Sequence, residues 1–338
     1  MNKLVISKIS RFFPQLYIYG FPVAFWTLFF PFLTRLPGSL KYYFAGKKHK
    51  SVLSYLYKRY SSIITTYENT SNDNSVIQAD SKIWVCWWDG INSMPEIVKI
   101  CYNYLFRNAG THPVQLITKD NYANFISVPN YIMDKVNEKI ISITHFSDIL
   151  RTALLYEYGG IWIDATLLVL NAFSFENLTF YTFKAPVKKG VSITLPRFAG
   201  LLNNSIHIKD KNTTNISRWS GFLLAGTKGL LIFDYLRQIL FSYWKDHNDQ
   251  IDYLLIDYFI ALAYDYVPSI KKIIDDVPCS TKEKFLLEKN LNNEFSVEIF
   301  KNFTLTPFHK LTWKKNFNTS TSDSKLTIYG HLLESINS

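Results

Sequence analysis

The stretch HFSDILRTALLYEYGGIWIDAT, residues 145–166, holds the side chains best suited to chemistry. Asp148 and Arg151 are three residues apart, and Asp164 ends an otherwise apolar run. Carboxylates accept hydrogen bonds or bind metal ions, and an arginine binds phosphate oxygens. These residue types together suit a ligand that carries hydroxyl groups, a phosphate and a metal ion.

Two predicted elements would bring these residues together. The sequence predicts a helix over Ser147–Tyr158, a reversal at the glycine pair, and a strand over Gly160–Asp164. Both elements are about 17–18 Å long, so the start of the helix and the end of the strand should meet at one edge. Open α/β sheets bind their ligands at this edge. The alternative is an exposed i,i+3 ion pair between Asp148 and Arg151 near a capped helix start, which leaves Asp164 unexplained.

The remaining pattern predicts an α/β fold. Apolar runs and amphipathic runs alternate, which is typical of a mostly parallel, Rossmann-like sheet flanked by helices. A capping box at residues 93–96 is predicted to open the first helix of this region. The other predicted strands are Lys82–Trp87, Val114–Thr118 and Gly221–Ala225, and the other predicted helices are residues 97–105, Tyr131–Ile141, Leu230–Tyr243 and Tyr253–Tyr264.

Composition and charge exclude several classes of protein. Hydrophobic residues make up 48% of the 338 residues, which excludes wholesale disorder. The net charge is +10, but the first 60 residues hold ten Lys and Arg and no acidic residue, so the rest of the chain is neutral. A nucleic-acid enzyme would spread its basic surface over the working domain, so no nucleic-acid partner is expected. Three sparse cysteines indicate a reducing compartment.

The N-terminal residues 1–60 form a basic, aromatic segment that we expect to associate with a membrane. Phe12–Thr34 is uncharged and long enough to span a bilayer, but prolines interrupt it. We favour an interfacial position on an anionic membrane surface, at the cytoplasmic face of the cell membrane, over a span. Packing onto the soluble body is the third alternative. Residues 61–80 are the predicted linker, and residues 81–338 form the predicted catalytic domain.

The motifs S-D-I-L-R and Y-G-G-I-W-I-D-A-T resemble the capsular polysaccharide synthesis protein family, which is mannosyltransferase-like and of the DxD type. More distantly, they are similar to the large clostridial glucosylating toxins. The resemblance extends over about residues 82–333. It implies a GT-A-like fold and a glycosyltransferase that uses a nucleotide-diphosphate sugar donor. It also implies retention of configuration and transfer to a precursor of capsular or surface polysaccharide. We expect a lipid-linked oligosaccharide acceptor, which would explain why a neutral catalytic body carries a basic, aromatic membrane segment.

The resemblance also implies roles for individual residues of the donor site. Asp148 and Arg151 would hold the donor sugar, Asp164 would contact the ribose or a metal ion, and Trp84 would lie against the base. Trp84 alternatively belongs to the core, because it lies in an apolar strand. Thr166 stands where many relatives have a second aspartate. A Mn²⁺ or Mg²⁺ ion would therefore be held through Asp164 and groups elsewhere, or metal dependence is weak.

Five further residues are weaker candidates. His331 could complete the metal site, or be an ordinary surface histidine. Lys310 and Lys314 could bind the diphosphate, or be solvated lysines. Either Asp252 or Asp257, with Asp257 preferred, could approach the acceptor hydroxyl; the alternative is a helix cap and a surface charge.

Two other functions are compatible with the same sequence. One is a toxin-like transferase that glycosylates a protein. The other is a membrane-bound scaffold with a degenerate sugar-nucleotide fold, for which Thr166 is the main argument.

Overall fold

The computed structural model describes residues 3–33, 39–72, 75–184, 219–278 and 284–337. Thr34, the last residue of the uncharged run Phe12–Thr34, and Cys279 lie outside these ranges. The strands are β1 (Ile83–Cys86), β2 (Val114–Ile117), β3 (Gly160–Ile163), β4 (Leu167–Val169), β5 (Phe180–Thr182), β6 (Leu223–Gly226) and β7 (Phe308–Lys310). The helices are α1 (Lys3–Tyr19), α2 (Phe21–Leu33), α3 (Ser39–Tyr67), α4 (Glu96–Asn108), α5 (Asn130–Asn137), α6 (Ile143–Tyr158), α7 (Leu231–Asp246), α8 (Leu255–Tyr266), α9 (Pro268–Asp276), α10 (Leu286–Asn290), α11 (Val297–Thr304) and α12 (Ile328–Asn337).

The central sheet has the strand order β2-β1-β3-β6-β5. β1 pairs in parallel with β2 and β3, whereas β6 is antiparallel to both of its neighbours. Four of the five strands therefore run in the same direction, which confirms the prediction of a mostly parallel sheet flanked by helices. The chain leaves β1 towards β2 and then crosses back to β3. The carboxyl ends of β1 and β3 thus form a topological switch point, where such sheets bind ligands.

Both faces of the sheet are covered by apolar side chains. Alternate strand residues face a core built with α3, α6, α7 and α8. The intervening residues face a second core that includes α4. β4 and β7 pair separately as a two-stranded antiparallel sheet beside the end of β3.

The turn from α6 into β3 has a local cause. Gly160 has φ +101, and a Cβ there would lie 2.2 Å from the carbonyl oxygen of Lys82. Only glycine lets β3 begin this close to β1, so the glycine pair sets the register between the helix and the strand.

Two predicted helix starts were wrong. α6 begins at Ile143, where the Ser142 side chain accepts a hydrogen bond from the His145 amide, and not at Ser147. Asp148 and Arg151 therefore lie beyond the first turn of the helix. The predicted capping box does not form either, because the Ser93 hydroxyl donates to the Gly90 carbonyl and accepts from the Trp87 indole.

The N-terminal helices are built into the body. Tyr19 and Val23, together with Leu56 and Ile64 of α3, belong to the main apolar core. Polar contacts reinforce this packing: Lys48 forms an ion pair with Asp252 at 2.5 Å, and His49 hydrogen-bonds Tyr258 at 2.7 Å. One face of the N-terminal helices is therefore part of the body, because its side chains complete the core. The expectation that residues 1–60 form a separate segment is corrected for this face.

The other face of α1 and α2 is exposed. Tyr17 is 93% exposed, and Phe13 and Phe21 are more than half exposed. Within the described residues, no helix combines the length and apolarity that a bilayer span requires. The predicted linker also starts later than residue 61, because α3 continues to Tyr67.

Candidate active site

Arg151 lies at the centre of a charged cluster at the carboxyl end of β3. Its guanidinium is 3.2 Å from Asp148 Oδ1 and 3.7 Å from Asp164 Oδ1, and both contacts involve Nη2. Nη1 donates to the carbonyl oxygen of Gly221 at 2.6 Å. The side chains of Asp148 and Arg151 are only 11% and 8% exposed, so their pair is not the exposed helical pair considered as the alternative.

Asp164 is held by donors from three directions. The Trp162 indole donates to Oδ1 at 3.0 Å, and Lys310 Nζ lies 2.9 Å from Oδ2. Burial alone would raise the pKa of Asp164, but the charges of Lys310 and Arg151 and the hydrogen bonds outweigh it and lower the pKa. Asp164 is therefore a carboxylate that keeps its charge. Lys310 Nζ also donates to Thr166 Oγ1 at 2.6 Å, so the structure brings both of these candidates into the cluster.

Two more carboxyl groups of the cluster have raised pKa values. Burial raises the pKa of Asp148, against the opposing charge of Arg151. Burial also raises the pKa of Asp257 to about 7; the hydrogen bond from the Trp219 indole, at 2.9 Å, opposes this shift, and the charge of Asp148 adds to it. Asp257 is buried, contrary to the surface-charge alternative. It is a candidate for proton exchange near neutral pH.

Lys284, which is not among the residues predicted from the sequence, is 2% exposed. Its Nζ donates to Ser220 Oγ at 3.1 Å and lies 4.8 Å from the centre of the Phe222 ring. Lys310 Nζ lies 5.3 Å from the centre of the same ring, and its amide donates to the Lys284 carbonyl. Burial lowers the pKa of Lys284 to about 7, and the charge of Lys310 contributes to the shift. No sequence pattern marks this lysine.

Two aromatic residues of the site carry no functional signal in the sequence. Trp162 lies in an apolar strand, which predicts only packing, yet its indole orients Asp164. Tyr253 is 66% exposed, and burial of its hydroxyl together with the charges of Asp148 and Asp164 raises its pKa. An exposed aromatic ring beside the cluster offers a flat surface to a base or a sugar.

Trp84 is not available for stacking on a base. Its side chain is 0% exposed, its indole donates to the Gly159 carbonyl at 2.9 Å, and its ring packs against Phe125 and Tyr158. The resemblance implied that Trp84 lies against the base, and this expectation is corrected. Trp84 is a core residue, the stated alternative, because its aromatic neighbours cover the ring.

Two further candidates have their described contacts outside the cluster. The His331 ring stacks on Phe295 at 3.8 Å and meets Phe300 edge-on at 5.1 Å, so it packs as an aromatic residue. Lys314 is exposed, and its amide donates to Thr312 Oγ1. Within the described ranges, no three His, Cys, Asp or Glu side chains are grouped so that they could hold a metal ion. The surroundings of His331 thus fit its alternative, an ordinary packed histidine, and its role as a metal ligand stays a prediction.

The fold and the site define an α/β protein with a buried cluster of carboxylates and cations at the switch point of its sheet. The chain belongs to the capsular polysaccharide synthesis protein family, whose sequence profile matches residues 37–332. This confirms the resemblance of the two motifs. No curated protein matches the sequence significantly. Among solved structures, the chain is similar to "PaToxG Glycosyltransferase", with 14% identity, a TM-score of 0.36, and coverage of 70% of this chain and 84% of that chain.

Proposed function

We propose that this protein is a glycosyltransferase of GT-A-like fold that transfers a sugar from a nucleotide-diphosphate donor to a lipid-linked precursor of capsular or surface polysaccharide. The observation that carries the proposal is the position of Arg151, which links Asp148 to Asp164 beside Lys310 at the carboxyl edge of the sheet. Such a cluster offers acceptors for sugar hydroxyls and cations for a diphosphate in one place. Membership of a capsular polysaccharide synthesis family supports a sugar substrate.

The proposed reaction breaks the bond between the anomeric carbon of the sugar and the diphosphate oxygen. The electron pair stays with the diphosphate, and the acceptor hydroxyl oxygen bonds to the anomeric carbon. Its proton passes to the departing diphosphate oxygen, which corresponds to retention of configuration. Asp148 would accept hydrogen bonds from the donor sugar, and Asp257 would accept one from the acceptor hydroxyl.

Among the groups of the site, the cations beside the diphosphate would lower the activation barrier of sugar transfer most. Negative charge grows on the leaving oxygen in the transition state, and fixed positive charge in a buried site stabilises it. Arg151 is held by ion pairs with Asp148 and Asp164 and donates hydrogen bonds to the Gly221 carbonyl and the Ser147 hydroxyl. It therefore needs little rearrangement when the donor binds.

The test is donor hydrolysis and transfer by the purified full-length protein with a panel of nucleotide sugars. We expect one donor to be hydrolysed slowly, and labelled sugar to enter butanol-soluble lipid when lipid acceptor is supplied. Asp164→Asn should reduce kcat/KM more than tenfold, a loss above about 1.4 kcal/mol. Incorporation into protein would support the toxin-like alternative. A folded protein that hydrolyses no donor would support the scaffold alternative.

We also propose that the exposed face of α1 and α2 lies on the cytoplasmic, anionic surface of the cell membrane. Its exposed aromatic residues include Phe13, Tyr17, Phe21 and Phe29. The N-terminal 60 residues hold ten basic and no acidic residues, a charge opposite to that of anionic lipid, although Lys48 and Arg59 pair with Asp252 and Asp246 of the body. Each lysine or arginine near such a surface contributes about 1 kcal/mol. This position would bring the active site to a lipid-linked acceptor.

Liposome sedimentation tests the membrane proposal. Phe13→Ser combined with Tyr17→Ser should reduce binding to anionic vesicles several-fold while the melting temperature stays unchanged. Val297→Ser is a matched control, because Val297 is 73% exposed on α11. Equal binding by the double variant and the control would contradict the proposal.

A further inference from the structure

Lys310 reaches the donor site because backbone pairing fixes it there. β7 pairs with β4 so that Lys310 lies opposite Leu167, directly after the D-A-T motif. The amide of Leu311 donates to the carbonyl of Thr166 at 2.9 Å. The position of this lysine therefore results from hydrogen-bonded strands and not from a freely rotating loop.

The ammonium of Lys310 bridges the two ends of the D-A-T motif. It lies 2.9 Å from Asp164 Oδ2 and 2.6 Å from Thr166 Oγ1, and its side chain is only 18% exposed. In a DxD motif these two positions are carboxylates that can share a divalent cation. Here one of them is a neutral hydroxyl, and a monovalent ammonium occupies the space between them.

The side chains around this ammonium do not fit a resident Mn²⁺ or Mg²⁺ ion. Such ions prefer several oxygen ligands, with carboxylates among them. Asp164 is the single carboxylate of the motif, and Lys310 and Arg151 already approach its two oxygens. Asp148 turns its carboxylate to Arg151. A divalent ion at Asp164 would meet two positive charges at close range, which opposes its binding.

We infer that Lys310 takes the place of a divalent cation, and that this protein binds and releases a nucleoside diphosphate without a metal ion. The inference rests on the proposed function. Lys310 would donate hydrogen bonds to the diphosphate and neutralise the charge that the broken glycosidic bond leaves on it. Lysine itself undergoes no covalent change. Thr166 fits this arrangement because its hydroxyl accepts a hydrogen bond from the ammonium without adding negative charge.

The test is calorimetric titration of the full-length protein with UDP and with GDP, in EDTA and in excess Mn²⁺. We expect one nucleotide to bind with the same affinity, within about twofold, in both solutions. Lys310→Met should weaken binding at least tenfold in both, and Lys310→Arg should retain most of it. Lys325→Met is the matched control, because Lys325 also lies 2.9 Å from a carboxylate, that of Glu294, but on the surface. It should bind as the unaltered protein does.

A second variant tests the same point by direct metal binding. Thr166→Asp combined with Lys310→Ala restores two carboxylates and removes the ammonium. A Mn²⁺ titration that is monitored by electron paramagnetic resonance should show that this variant binds Mn²⁺ and that the unaltered protein does not.

The outcomes separate the two proposals. Nucleotide binding that requires Mn²⁺ in the unaltered protein would overturn the lysine assignment and leave the glycosyltransferase proposal standing. Unchanged affinity in a folded Lys310→Met variant would overturn the assignment as well. Failure of every nucleotide diphosphate and nucleotide sugar to bind in either solution would overturn both.

Discussion

Arg151 Nη1 and the carbonyl oxygen of Gly221 are 2.6 Å apart, and a Cβ on residue 221 would lie only 2.6 Å from that same nitrogen. The glycine therefore gives the guanidinium both an acceptor and the space to reach it. Residue 221 lies just before β6, seventy positions along the chain from the arginine that it helps to position.

Gly221→Ala should displace Arg151 and slow donor hydrolysis about 100-fold without unfolding the protein. The added methyl group forces the guanidinium away from Asp148 and Asp164, and misplaced catalytic groups can cost roughly 100-fold in rate. Steady-state kinetics and thermal melting measure the two effects. Gly46→Ala is the control, since a Cβ added at this residue of α3 would have nothing within 4 Å of it. Full activity in Gly221→Ala would show that Arg151 is not needed at this position.

Trp84→Ala should destabilise the protein by about 3–5 kcal/mol, because it leaves a cavity in a fully buried part of the core. Nucleotide affinity measured below the melting transition should not change. Trp313→Ala, at a 48% exposed site, should change stability by less than about 0.5 kcal/mol. A stable Trp84→Ala protein with weakened nucleotide binding would instead restore the base-stacking role.

Asp257→Asn should stabilise the protein above neutral pH. Because burial raises the folded-state pKa of Asp257 from 3.8 to about 7, the folded protein loses stability relative to the unfolded chain as pH rises between these values. Asparagine removes this loss and can still accept the Trp219 hydrogen bond. The gain in unfolding free energy should be about 4 kcal/mol at pH 8 and less than about 1 kcal/mol at pH 4, as measured by urea titration. An equal effect at both pH values would contradict the raised pKa.

Lys284 should make nucleotide binding depend on pH. Its pKa is lowered to about 7, so its ammonium form, which attracts a diphosphate, predominates below pH 7 and is lost as pH rises above it. Affinity for the nucleoside diphosphate should therefore fall between pH 6.5 and about 8, and Lys284→Met should flatten this dependence. Lys272→Met, at an exposed pair with Asp276, should leave the profile unchanged. A flat profile in the unaltered protein would contradict a role for Lys284.

Deletion of residues 1–60 should prevent stable folding and not release a soluble catalytic body. The deletion removes Tyr19, Val23, Leu56 and other buried side chains from the core. Each such side chain contributes about 1.5–3 kcal/mol, so a few exceed the total stability of a typical domain. Soluble yield and binding of a hydrophobic dye measure the outcome. A soluble, cooperatively melting remainder would show that the segment is separable after all.

The amino-acid sequence was sufficient where the signal was local. The predicted helix over Ser147–Tyr158, the glycine pair and the predicted strand over Gly160–Asp164 follow one another directly. Their lengths predicted that Asp148, Arg151 and Asp164 meet at one edge of the sheet, and they do so although the helix begins four residues earlier, at Ile143. The alternation of strands and helices likewise predicted a mostly parallel sheet. The motifs within this stretch were also sufficient to indicate the family.

Tertiary structure decided what depends on distant partners. Lys310 joins Asp164 through the pairing of β4 with β7, about 145 residues away, and Lys284 is brought in by the same strand. Trp84 lies in an apolar strand, and only the packing of Phe125 and Tyr158 shows that its ring is covered. Hydrophobicity along residues 1–60 predicted that an apolar environment must cover them, because apolar surface avoids water. It did not distinguish lipid from protein, since both exclude water. In the fold, protein side chains cover one face of these helices, and the other face is exposed.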